Sequence, residues 1–133
     1  MASSLVMAME KDIMQLKSCP DSPNCVSSQS TDQSHRVSPI AFKGDAKQAL
    51  MAIKKVILAL PRTQLQQQDE ASLHVVFSSW LFGFLDDVEV FVDGAESVIH
   101  IRSASRTGYS DFGVNRKRVE TIREEFHKLI DAQ

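Results

Sequence analysis

The chain has 133 residues, 43% hydrophobic and 24% charged, the proportions of one ordinary folded domain with enough apolar side chains for a core. A formal net charge of -2 removes the global basic surplus that nucleic-acid binders carry. No run approaches the roughly 20 apolar residues that a membrane helix needs.

Residues 1–17 read as an N-terminal segment with a short helix, on the spacing of Leu5, Met9, Ile13 and Leu16. No basic region precedes its apolar run, so no export signal is expected in it. Residues 18–133 are expected to form a single α+β domain.

The stretch Ser18 to Pro39 is rich in Ser, Pro, Asn, Asp and Gln and reads as an ordered loop. It holds the only two cysteines, Cys19 and Cys25, spaced C-x5-C around two prolines. Three readings are open. A local disulfide is favoured by the stiff loop and is worth about 2 to 2.5 kcal/mol in chain entropy; two free thiols are the second. A metal pair is the third, but zinc takes about four ligands, and His35, His74, His100 and His127 lie on separate elements with no ligand spacing. No metal and no cofactor are expected.

A brief extended piece at residues 38–42 leads into a helix. Ala46, Ala49, Leu50, Ile53, Val56, Ile57 and Leu60 recur on one stripe, Gly44 and Asp45 mark the start, and Pro61 stops the run. From Thr63 the period changes to two. The stretch 63–68 is a polar strand, and the next places Leu73, Val75 and Phe77 on one face. After a break at residues 82–87, Val88, Val90 and Val92 point inward with Glu89 and Phe91 on the reverse. Asp93-Gly94 turns the chain into a strand with Ile99 and Ile101 inward. A final helix runs from about Val114 to Ala132 on Val119, Ile122, Phe126, Leu129 and Ile130. Consecutive strands with short connections give an antiparallel sheet of about four to five strands. Two amphipathic helices on one face of it make a two-layer α+β fold.

Charge is segregated along the chain. Seven acids and no Lys or Arg lie between Asp69 and Glu96, whereas five bases face the single acid Asp111 between Arg102 and Arg118. The second segment, IRSASRTGYSDFGVNRKRVE, is also where a strand becomes a helix. Its GYSDFG resembles a nucleophile elbow, but Phe112 stands where the strained turn needs Gly. Read as G-x-x-x-x-G it resembles a P-loop, but Val114 and Asn115 follow where Lys and Ser or Thr must meet phosphate and magnesium. What those motifs share is backbone N–H groups at a helix start beside cations and hydroxyls. Candidate anion-binding residues are therefore Arg102, Ser103, Ser105, Arg106, Tyr109, Asn115, Arg116 and Arg118. The architectural alternative has Asp111 or Ser110 capping the helix, Arg106 paired with Asp86 or Asp87, and Asn115 bonding the loop backbone.

Three blocks, CPDSPNCVSSQ, FGFLDDVE and IRSASRTGYSDFGVNRKRVE, together closely resemble the DUF1499 family of uncharacterised proteins. The resemblance covers about Leu16 to Ile130 and supplies no catalytic residues. It implies exported, membrane-anchored or plastid proteins, which, with a disulfide, favours a periplasm or envelope or an organelle lumen over the cytoplasm. The expected function is a non-enzymatic binding or accessory domain whose junction holds a small anion or an acidic group on a protein partner. The alternatives are a hydrolase using Ser105 or Ser110, or the acids Asp86 and Asp87, and a subunit of a larger assembly that docks through the SSWLFGF turn.

Overall fold

The structure is a computed structural model that describes residues 15–132. The helix expected over residues 1–17 lies outside the described residues except for Gln15–Lys17, which have no regular structure.

The elements run β1 (Cys25–Ser27), β2 (Ile40–Ala41), α1 (Ala46–Ala59), β3 (Thr63–Gln68), β4 (Ser72–Ser78), β5 (Leu85–Asp93), β6 (Val98–Ser105) and α2 (Val114–Asp131). One antiparallel sheet has the order β1-β6-β5-β4-β3, with β2 also on β6. The two short strands share one edge, because β1 pairs with residues 102–104 of β6 and β2 with residues 98–99. The strands among the described residues are thus six. The loop expected over Ser18–Pro39 contains the extra one, β1, whose turn-rich surroundings hide three paired residues.

Each helix forms where its apolar stripe and its ends agree. Asp45 caps α1 by accepting from the Gln48 N–H at 3.1 Å, and Pro61 cannot continue it. Its face Ala49, Leu50, Ile53, Val56 and Ile57 is buried, as are Val119, Ile122 and Phe126 of α2. Both helices pack on one face of the sheet and on each other, α1 over β3–β5 and α2 over β6 and β1. Between the layers lie Val75, Val88, Val90, Ile99 and Ile101.

The reverse face is not simply solvated. Phe91, Val76 and Ala104 are buried on it. Gln15 and Leu16 lie beside Phe91, His74 and Glu89, and the Ser18 carbonyl accepts from Arg102, so the leading segment crosses this face. A disulfide joins Cys19 to Cys25 and fastens that segment to β1, with Cα atoms 5.7 Å apart. Among the described residues no helix is long and apolar enough to cross a membrane.

Candidate functional site

Strand alternation decides where the junction's charges go. In the β5–β6 ladder Asp86 stands opposite Ser105, Asp87 opposite Ala104 and Glu89 opposite Arg102. Successive side chains point to opposite faces, so the neighbours Asp86 and Asp87 separate. Asp86 lies on the helix side with Phe77, while Asp87 lies on the reverse side with Val76 and His74. The two carboxylates form no acid pair.

Each meets an arginine on its own side. Arg118 of α2 donates to the Asp86 Oδ2 at 2.8 Å, and its guanidinium carbon lies 4.6 Å from the centre of the Phe77 ring. Arg106 clamps Asp87 with two bonds of 2.9 Å, the fork geometry that makes such pairs strong. His74 Nε2 lies 2.7 Å from the same carboxylate. The Arg106 hydrogen bond, opposed by burial and aided by His74, holds the Asp87 carboxyl below its ordinary range. Arg102 is only 6% exposed, pairs with Glu89 at 3.2 Å, and its Nε has no partner. Arg116 turns away from the others and donates to the Arg36 and Ser34 carbonyls. Thus the acid-rich and base-rich segments are adjacent strands, and Arg102, Arg106, Arg116 and Arg118 each bond a partner within the fold, with only the Arg102 Nε left over among their buried donors.

Asn115 sits at the centre, 0% exposed. Its Oδ1 accepts from Ser103 Oγ at 2.7 Å and Arg118 Nη1 at 2.8 Å. Its Nδ2 faces Asp111 Oδ2 at 2.7 Å, Ser105 Oγ at 2.9 Å and the Asn24 carbonyl at 3.2 Å. Asn24 in turn donates to the Gly108 carbonyl at 2.7 Å, so the disulfide loop is stitched to the junction. The helix begins at Gly113 with φ 80, which lacks a side chain to cap it. Asp111 does that work from two residues upstream, accepting the Gly113 N–H at 2.8 Å and the Asn115 N–H at 3.1 Å. Burial pushes the Asp111 carboxyl up, and these hydrogen bonds more than reverse it, leaving it below its ordinary range.

The serines lack the partner an acyl-transfer nucleophile needs. Ser105 Oγ accepts from Asn115, and Ser110 Oγ accepts from the Phe112 N–H. No histidine bonds either one among the described residues. Both do line a cleft of about 500 Å³ between the β4–β5 hairpin tip and the junction loop, with Ser79, Phe84, Asp86 and Phe112.

The cleft is flanked by aromatics. The hairpin tip exposes Trp80, Leu81, Phe82 and Phe84, and the junction loop exposes Tyr109, Phe112 and Val114. Trp80 is 77% and Phe112 94% exposed, and outside these two loops Met51 is the one large exposed hydrophobic among the described residues. Tyr109, a candidate from the sequence, therefore belongs to this rim and not to the arginine cluster. The SSWLFGF turn, named from the sequence only as an alternative docking element, is thus one side of the rim, whereas His74 and Asn24 are not among the candidates because strand register is not visible in the sequence. The signal for His74 was its place on the outward side of the β4 alternation.

A family model described as a protein of unknown function (DUF1499) matches residues 15–126. No curated protein matches the chain.

Proposed function

We propose, from the premise that the chain belongs to the DUF1499 family, that it is a non-enzymatic binding domain that docks through the aromatic end of its sheet. The observation that carries this reading is the concentration of nearly all the exposed large hydrophobics among the described residues on two loops that share one cleft. Five aromatics of about 200 Å² each, some three-quarters exposed, put roughly 700 Å² of side-chain surface in solvent at this end, the kind of exposure that marks interaction sites. The arginine–carboxylate lattice beneath them supports that end; it is a scaffold in this reading and not the contact itself. A small anion at the junction would have to displace Asp86, Asp87 or Asp111 from hydrogen bonds they already hold. Hydrolysis has a cleft, but no histidine or carboxylate is hydrogen-bonded to the Ser105 or Ser110 hydroxyl among the described residues. The disulfide supports an oxidising location, the envelope or an organelle lumen, since such bonds persist there.

The test is fractionation of the native source expressing the protein, its Trp80→Ser/Phe112→Ser variant, or its Met51→Ser variant. The wild type and the Met51 variant are expected in a large or particulate fraction, with the double variant released as monomer. Identical behaviour of all three refutes docking by this end.

A further inference from the structure

We infer that the partner of this end is a lipid surface, which the loops enter to shallow depth from the aqueous side. The inference rests on the docking reading above and names its occupant.

The aromatics sit on two protruding tips flanking a cleft, with Trp and Tyr among them, the residues that prefer the headgroup level of a bilayer. Hydrogen bonds tie the base of each tip back on itself, which lowers the cost of drawing that backbone out of water. In the hairpin, Ser79 N–H donates to the Phe84 carbonyl, Gly83 N–H to the Ser79 carbonyl, and Phe84 N–H to Ser79 Oγ. In the junction loop, Phe112 N–H donates to Ser110 Oγ and Gly113 N–H to Asp111.

Charge completes the match. The carboxylates nearest the tips, Asp86, Asp87 and Asp111, are each engaged by arginine or by backbone N–H groups. Arg62, beside the hairpin base through its bond to the Ser78 carbonyl, and Lys117, in the first turn of α2, are exposed at the same end. Exposed cations beside hydrophobic tips, with Asp86 and Asp87 each paired to an arginine, suit an anionic headgroup layer.

Trp80 is the sole tryptophan, so its fluorescence reports the tip directly. The purified chain is mixed with vesicles of phosphatidylcholine alone or of an equal mixture of phosphatidylcholine and phosphatidylglycerol. The expected result is co-sedimentation, a blue shift of Trp80 emission, and partition about thirtyfold tighter into the anionic vesicles from two cations. Phe82→Ala/Phe112→Ala, which keeps the reporter and removes only exposed side chains, is expected to lose at least about tenfold in partition, while Met51→Ser keeps it. An unshifted emission with no co-sedimentation on either vesicle overturns the lipid inference. If emission then shifts with protein concentration alone, or Phe82→Ala/Phe112→Ala dissociates a lipid-free complex in the native source, docking stands with a protein as occupant. If neither happens, the docking reading falls as well.

Discussion

Replacing Asn115 by alanine tests whether the junction is held by its polar lattice. The side chain is fully buried and bonded to Ser103, Arg118, Asp111, Ser105 and the Asn24 carbonyl. Several partners keep a second bond after truncation. Ser103 still accepts from Arg118, the Asn24 carbonyl from the Ser105 N–H, and Asp111 from two backbone N–H groups. What is lost is close to two hydrogen bonds to charged groups and one neutral bond, with a small void. At about 1.5–3 kcal/mol for a charged partner and about 1 for a neutral one, less the surviving contacts, the expected loss is roughly 3 kcal/mol. That is a large share of the 5–15 kcal/mol typical of a domain. Urea unfolding followed by far-ultraviolet circular dichroism measures it, since Trp80 lies in the open and responds little to unfolding. The midpoint falls and the slope stays constant. A second readout is the Asp111 carboxyl, which loses its Asn115 side-chain bond and titrates higher by NMR. A loss below about 1 kcal/mol, with Asp111 unmoved, refutes the central role given to Asn115.

Breaking the Arg118–Asp86 pair from one side, as Arg118→Met, leaves a carboxylate only 15% exposed without its partner and is expected to cost about 3–5 kcal/mol. Adding Asp86→Leu should recover most of it, and failure to recover contradicts a purely pairwise role. Acid should loosen the same end. Asp87 and Asp111 titrate lower folded than unfolded, so their stabilisation is complete above the unfolded value of about 3.9 and disappears as pH falls through the lower folded values. The urea midpoint therefore drops below about pH 4, and Arg106→Gln should flatten the part owed to Asp87; a midpoint level down to pH 2 would speak against this. Native protein should yield no titratable thiol, and Cys19→Ser/Cys25→Ser should lose about 2 to 2.5 kcal/mol. Amide exchange at Ser105, whose N–H bonds the Asn24 carbonyl, should quicken with it; unchanged exchange would show that the disulfide loop and the junction are not coupled.

The two helices, the four long strands and their layering are legible because their apolar residues repeat at 3.6 and 2 over long enough stretches. The same alternation already places Asp86 and Asp87 on opposite faces, since they are consecutive in one strand. Three residues of β1 carry no such period, and they pair only because β6 extends past β2 to offer an edge. Phe91 reads as outward and is outward, yet it is buried because the leading segment covers that face. The junction's arginines and acids stand out by composition, but their pairing follows from register. Asn24 and Gly108 are 84 positions apart, and nothing local to either announces that they meet. The aromatics at residues 80–84 carry the opposite lesson. Apolar residues beside a strand suggest packing, yet these stay mostly in solvent, with Phe82 and Phe84 meeting only at 5.5 Å between ring centres.

That exposure is maintained by the backbone at a cost. Phe112 has φ 54, a left-handed conformation that costs a residue with a Cβ about 1–2 kcal/mol. Its side chain, almost wholly in solvent, returns no burial to offset this. Strain without a packing return is what a functional position leaves behind. Phe112→Gly removes the strain and loses no buried contact, so the domain should gain about 0.5–1 kcal/mol after the extra freedom glycine brings to the unfolded chain. The same change deletes one of the tip's anchors, so release into the monomeric fraction and weaker partition into anionic vesicles should accompany the gain. Thermal unfolding and vesicle co-sedimentation of one variant measure both sides. A variant that is more stable and docks as well as the wild type makes Phe112 an incidental surface residue. One that is less stable means that the side chain packs somewhere it is needed, and the case for strain held in the service of docking is lost.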